Sequence, residues 1–165
     1  GFDFGFAITG DTTFDTDTLA GEIAHTGGVA LSNADTTVTL GDFDIAFDAN
    51  RATGDASGFF VADNIFSNGV PVFDIASPTI DVLELDPVLS KLTISDADLL
   101  LTSELAGELD GAGLLSGALT ADDVAGATVG SARTDAFLIP EPGTLTLGVM
   151  GVIAIAAGRT RRRRA

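Results

Sequence analysis

One histidine, three close aspartate pairs and no cysteine bound the chemistry this chain could perform. His25, in Ala24-His25-Thr26-Gly27-Gly28-Val29, is its only imidazole, and so its only nitrogen base or soft ligand near neutral pH. Without Cys, a disulfide, a thiolate metal site and a thiol nucleophile are all excluded. A nucleophile–base pair would have to use His25, yet no Gly-x-Ser-x-Gly elbow, phosphate loop or dinucleotide fingerprint occurs. The aspartates stand two apart at Asp15/Asp17, Asp42/Asp44 and Asp96/Asp98. On a strand, that spacing sets both carboxylates on one face about 7 Å apart. Calcium takes about six to eight oxygens at once. The calcium candidates are therefore Asp11, Asp15 and Asp17, although no EF-type loop or Gly/Asp nonapeptide surrounds them. Outward, solvated faces that discourage edge pairing explain the pairs more simply. A two-carboxylate glycosidase could also be made from such residues. Sugar sites usually stack aromatics, however, and here eleven Phe stand without any Tyr or Trp.

The stretch around His25, together with Asn33–Asp48, resembles surface haem-uptake β-domains of bacteria in its strand spacing. That resemblance implies haem or another small molecule as a ligand of His25. Such domains also lean on a tyrosine, which this chain lacks. The sequence favours a turn histidine without a ligand, no catalytic residues and no cofactor.

Charge narrows the partners. Residues 1–139 hold Arg51, Lys91 and Arg133 against 23 carboxylates, a net charge of −20. Such a body repels nucleic acid and anionic lipid and favours solubility in salty or sugar-rich surroundings. Nineteen of the 24 acidic residues are Asp, which favours turns. Apolar residues make up 45% of the chain, enough for a packed core in one domain plus a short appendage.

The elements that would position these groups are strands. Phe2, Phe4, Phe6 and Ile8 share one face of a period-2 segment. Val29–Leu31 and Thr37–Leu40 flank the turn Ser32-Asn33-Ala34-Asp35. Across Asp42–Asp48, Phe43, Ile45 and Phe47 point inward and the aspartates outward. Phe59–Ala62, Val70–Ile75, Thr79–Leu85 and Lys91–Ser95 continue the series, separated by turn clusters at Asn50–Gly58, Ser67-Asn68-Gly69, Ser77-Pro78 and Asp86-Pro87. Ala97–Thr102 reads as a strand, and Ser103–Leu109 as one or two helical turns with Ser103 as N-cap. Asp110–Gly117 reads as a loop and Val124–Leu138 as a last strand. This pattern predicts an all-β domain over residues 1–139, an antiparallel β-sandwich or distorted barrel.

The end of the chain differs in kind. Pro140-Glu141-Pro142 interrupts regular structure. Gly143–Gly158 follows with no charge, long enough as a helix for roughly 24 Å of a bilayer core about 30 Å thick. Arg159, Arg161, Arg162, Arg163 and Arg164 come next, so the positive-inside rule keeps this end cytoplasmic and residues 1–139 outside. In this order, residues 139–165 resemble the PEP-CTERM sorting signal. The resemblance implies an exported protein of a Gram-negative bacterium, processed near Pro140–Pro142 by an exosortase of the inner membrane. Its destination would be the cell surface or an extracellular polysaccharide matrix, as in biofilm. Gly143–Gly158 would be a transmembrane stop, and the five arginines the retaining charge. An N-terminal signal peptide is then expected to have preceded Gly1; the only Met is Met150.

Overall fold

The computed structural model describes residues 4–66, 68–86, 89–115 and 117–138. The Pro-Glu-Pro motif, the expected helix 143–158 and the arginine cluster lie outside them, as does Phe2. Among the described residues no helix is long and apolar enough to cross a membrane.

The described chain is mostly β. Ten strands run in the order β1 (Ala7–Ile8), β2 (Glu22–Thr26), β3 (Gly28–Ser32), β4 (Thr37–Gly41), β5 (Asp44–Phe47), β6 (Ala56–Asp63), β7 (Val70–Ala76), β8 (Thr79–Asp86), β9 (Leu89–Leu101) and β10 (Thr128–Leu138). Helices α1 (Ser103–Gly111) and α2 (Ala121–Val124) sit between β9 and β10. The main sheet has the order β1-β2-β5-β6-β7-β9-β10, with β8 also pairing β9, while β3 and β4 form a separate hairpin. The pairings β1–β2, β2–β5, β5–β6, β6–β7, β7–β9 and β3–β4 are antiparallel. This agrees with the expected class.

Two compact units divide the chain: residues 1–80 with 94–134, and residues 81–93 with 135–165. In the smaller one, Asp135 accepts a hydrogen bond from Thr93 Oγ1 at 2.9 Å and pairs with Lys91 Nζ at 2.7 Å.

The larger unit is built on cross-strand apolar rows. Register places Ile23 opposite Ile45, Ile45 opposite Val61, Val61 opposite Phe73, and Phe73 opposite Leu101. Five strands thus contribute one branched or aromatic residue each to a single line on one face, the unit by which sheets gain side-chain packing. Phe47 and Phe59 pair one step along, with ring centroids 5.1 Å apart, and Phe14 covers Phe59 at 6.3 Å. Leu105, Ala106 and Leu109 of α1 are buried. Their spacing of three and four residues gives one helix stripe.

Several expectations need correction. Of the expected Phe2–Ile8 strand, the described residues 4–8 form a strand only over Ala7–Ile8, because the partner β2 ends opposite Ala7 at Thr26, next to Gly27 with φ +118°. Strand β2 itself was not expected: it has few β-branched residues and glycines at both ends, so it reads as a loop. It places His25 on a strand and not in a turn. Strand β6 starts at Ala56, inside the expected turn cluster. The N-cap of α1 is Thr102, not Ser103; its hydroxyl accepts from Leu105 N–H at 3.1 Å and donates to the Pro71 carbonyl at 2.8 Å. One buried hydroxyl therefore caps the helix and fastens it to β7. The helix continues to Gly111, into the expected loop. The last strand begins at Thr128 because residues 121–124 form a helical turn, closed by Asp123 accepting from both the N–H and the hydroxyl of Thr120.

Candidate functional site

The floor of the candidate site is the cross-strand row just described. Ile45, Val61, Phe73 and Leu101 line an open apolar groove of about 830 Å³. Its walls come from Phe4 and Phe6 before β1, Val29 and Leu31 of β3, Leu105 and Leu109 of α1, and Val129 of β10. Phe4 is 68% exposed and Val129 53%, whereas Ile45 beneath them is 7% exposed. Phe6 meets Phe43 edge to face, with centroids 5.0 Å apart and an interplanar angle of 72°. Exposed apolar residues such as Phe4 and Val129 beside a buried apolar floor, on a chain of such negative net charge, make this groove the candidate site.

His25 lies on this groove, half-buried. Its backbone N–H donates to the Phe43 carbonyl at 2.8 Å, and its Nδ1 stands 2.9 Å from the Ile23 carbonyl. A carbonyl only accepts, so Nδ1 carries the proton in that contact and the Nε2 lone pair is the one left for a ligand. The second polar end of the groove is on β10, where Ser131, Arg133 and Thr134 line it. The sequence could not show that these two ends share one cleft, since 108 residues separate His25 from Arg133.

The aspartates are used differently from the pairs expected. Asp15 accepts from the N–H groups of Thr18 at 3.0 Å and Asp17 at 2.9 Å, closing its own turn. Those two backbone hydrogen bonds, Thr18's first, hold its carboxyl below the usual aspartate range. Asp11 and Asp17 are exposed nearby. Among the described residues no three His, Cys, Asp or Glu side chains gather so as to hold a metal ion. Asp42 departs from the strand at φ +46° and accepts from Thr26 Oγ1 at 3.2 Å and Gly27 N–H at 3.1 Å. Asp44 accepts from Asn64 Nδ2 at 2.5 Å. Asp96 also has positive φ, at +53°, and Asp98 borders a small depression with Ser95, Ser131 and Arg133.

Two further polar centres were not singled out in the sequence. Asp63 is fully buried; its oxygens accept from Gly41 N–H at 2.6 Å and Phe66 N–H at 2.7 Å, tying β4 to the turn after β6. Arg51 forks onto Asp74 through Nε at 2.7 Å and Nη2 at 3.1 Å, reaches Glu104 with Nη1 at 2.9 Å, and lies 5.5 Å above the Phe60 ring. Burial opposes its charge, but the hydrogen bonds to Asp74 and Glu104 prevail and hold its pKa above the usual arginine value. One signal was available for Arg51: it is one of only three cations in residues 1–139. Asp63 gave none, as it sits among eighteen other aspartates.

Pro140, Glu141, Pro142 and Arg159, Arg161, Arg162, Arg163 and Arg164 lie outside the described residues. Compared with protein-family models, curated proteins and solved structures, the chain matches none.

Proposed function

We propose that this chain is an exported surface or extracellular-matrix protein, sorted by an exosortase through its C-terminal segment. The observation that carries this reading is the order Pro140-Glu141-Pro142, sixteen uncharged residues, then five arginines within six positions. A proline-flanked glutamate, an apolar span and a cationic stop form a transmembrane helix with cytoplasmic charge, cut on its outer side. The body plays a structural or adhesive part without catalysis, in contact with extracellular polysaccharide, and its curled sheet completes a sandwich or distorted barrel. What the described aspartates do supports this: Asp15, Asp42 and Asp63 fix turns and strand ends, and Asp74 pairs with Arg51.

Mass spectrometry of the mature protein, from cells with and without the processing enzyme, tests the proposal. A chain ending near Pro140–Pro142 is expected only where the enzyme is present; a chain ending in Ala165 from both strains would defeat it.

A second reading, a ligand-binding module of the same exported class, is favoured by the apolar groove that His25 lines.

A further inference from the structure

Strand β10 ends the main sheet: β9 lies on one side of it, and among the described residues no strand lies on the other. Thr128, Val129, Gly130 and Ser131 are all exposed, so both faces of the strand are open there as well as its outer edge. A Cβ placed on Gly130 would meet nothing within 4 Å. Along that edge, backbone N–H and C=O groups face outward with no neighbouring strand to pair them. Other edges are guarded. Strand β1 is two residues long, and β8 carries the exposed Asp81. Short edges and edge charges both discourage pairing with another chain. From Thr128 to Ala132, β10 has neither guard, nor a proline. No carboxylate occurs between Asp123 and Asp135, although residues 1–139 hold 23. Strand β3 is also uncharged, but it belongs to the two-stranded hairpin, a weaker template than the edge of a large sheet.

A partner for this edge has to be a strand, since only a strand presents donors and acceptors at the spacing of the edge. It also has to bring no carboxylate to the contact, because the body it approaches carries a net charge of −20. Strand β10 of a second copy meets both requirements. It is free on one side and uncharged over the same five residues, and a two-fold axis sets identical edges against each other. From this we infer that two copies of the chain pair through β10, antiparallel, residues 128–132 of one against residues 128–132 of the other, so that two sheets become one. The two acidic bodies still repel each other, and salt therefore favours the pair. Pairing of this kind does not depend on C-terminal processing, which is read in cells by a different experiment.

The chain has no cysteine, so single introduced cysteines report the contact. Thr128→Cys, Val129→Cys, Gly130→Cys, Ser131→Cys and Ala132→Cys are made one at a time in the full chain, held in dodecyl maltoside micelles and oxidised with copper phenanthroline. Asp55→Cys, in an exposed turn, is the collision control. In an antiparallel two-fold pair only positions beside the axis meet their own copies. One or two neighbouring variants should therefore give disulfide dimer at least tenfold above Asp55→Cys. That yield should rise severalfold between about 0.01 M and 0.15 M NaCl. It should fall about tenfold when Ser131→Asp is added, or Val129→Asp where Ser131 is the cysteine, in variants that melt with the parent. Control-level dimer at all five positions would overturn the pairing, as would equal dimer at all five, the mark of random collision. So would dimer raised as much in Asp55→Cys, which would place the association in residues 143–158. Dimer at Leu31→Cys with none on β10 would give the contact to the hairpin instead, and dimer that falls as salt rises would make it an ionic one.

Discussion

Asp63 shows what a single side chain contributes here. It is fully buried, and both oxygens are committed to backbone donors, Gly41 N–H and Phe66 N–H. Replacing it with alanine leaves those donors facing a cavity, and buried donors without acceptors are costly. Asp63→Ala should destabilise the fold by about 3–5 kcal/mol, and Asp63→Asn by less, since the amide keeps one acceptor. At about 2–4 °C per kcal/mol for a chain of this size, the alanine variant should melt roughly 6–20 °C lower. Thermal melts followed by circular dichroism measure this directly. An alanine variant within 2 °C of the parent would show that the carboxylate is dispensable. His25 teaches the complementary lesson about legibility. Its neighbours Thr26, Gly27 and Gly28 read as a turn, but Thr26 ends β2 and Gly28 opens β3, with only Gly27 between them. What sets His25 on a strand is the pairing of Ile23 with Ile45, a contact across 22 residues that local composition does not carry.

Strand β9 shows how an element can look broken in sequence and be continuous in the fold. Leu92 and Ile94 are buried, and so are Ala97 and Leu101. The buried positions change from even to odd, so one residue must be absorbed between them. Asp96, with φ +53°, absorbs it as a bulge, which is why the segment reads as two strands. Aspartate tolerates this left-handed geometry and β-branched residues do not. Asp96→Gly should therefore be neutral or slightly stabilising, while Asp96→Val should cost about 1–2 kcal/mol, as denaturant midpoints would show. Strand β5 was legible because its large apolar residues alternate with aspartate or alanine and Ile45 is buried, whereas β7 buries Val72 and Ile75 on opposite faces.

The other element-level device is Arg51, which joins the 3-10 turn Ala49–Arg51 to Asp74 of β7 and Glu104 of α1. Arg51→Met strands two partly buried carboxylates, for a loss of about 1–2 kcal/mol after allowing for their residual exposure. The pH dependence follows from Glu104. Its hydrogen bond from Arg51 holds its carboxyl below the ordinary glutamate value of 4.5. A depressed carboxylate gives its stabilisation in full above the unfolded-state pKa and loses it as pH falls through the folded-state value. The gap between parent and Arg51→Met should be constant from pH 6 to 8 and narrow below about pH 4. A gap that widened in acid would contradict the pairing.

At the scale of the whole molecule, charge imbalance outweighs individual ion pairs. Residues 1–139 carry a net charge of −20, and their three cations can neutralise only a small part of the acidic surface. Self-repulsion of that size works against the compact state. Screening relieves it, since the Debye length falls from about 30 Å at 0.01 M to about 8 Å at 0.15 M. Salt also weakens the Lys91–Asp135 and Arg51–Glu104 pairs. Those are few and local, whereas the repulsion sums over many carboxylates, so added NaCl should raise the melting temperature by several degrees, mostly below 0.2 M. Calcium separates screening from a site. Asp15 already spends an oxygen on its own turn, and no triad of acidic groups forms among the described residues. CaCl2 and MgCl2 at matched ionic strength should therefore give the same midpoint. An ion bound specifically to the folded state raises the midpoint by mass action, by an amount that grows with concentration over its dissociation constant. If 1 mM calcium raised the midpoint by several degrees over magnesium, the acidic surface would hold a built site after all. Loss of that surplus in Asp15→Asn, but not in Asp55→Asn, would locate it in the Asp11–Asp17 loop.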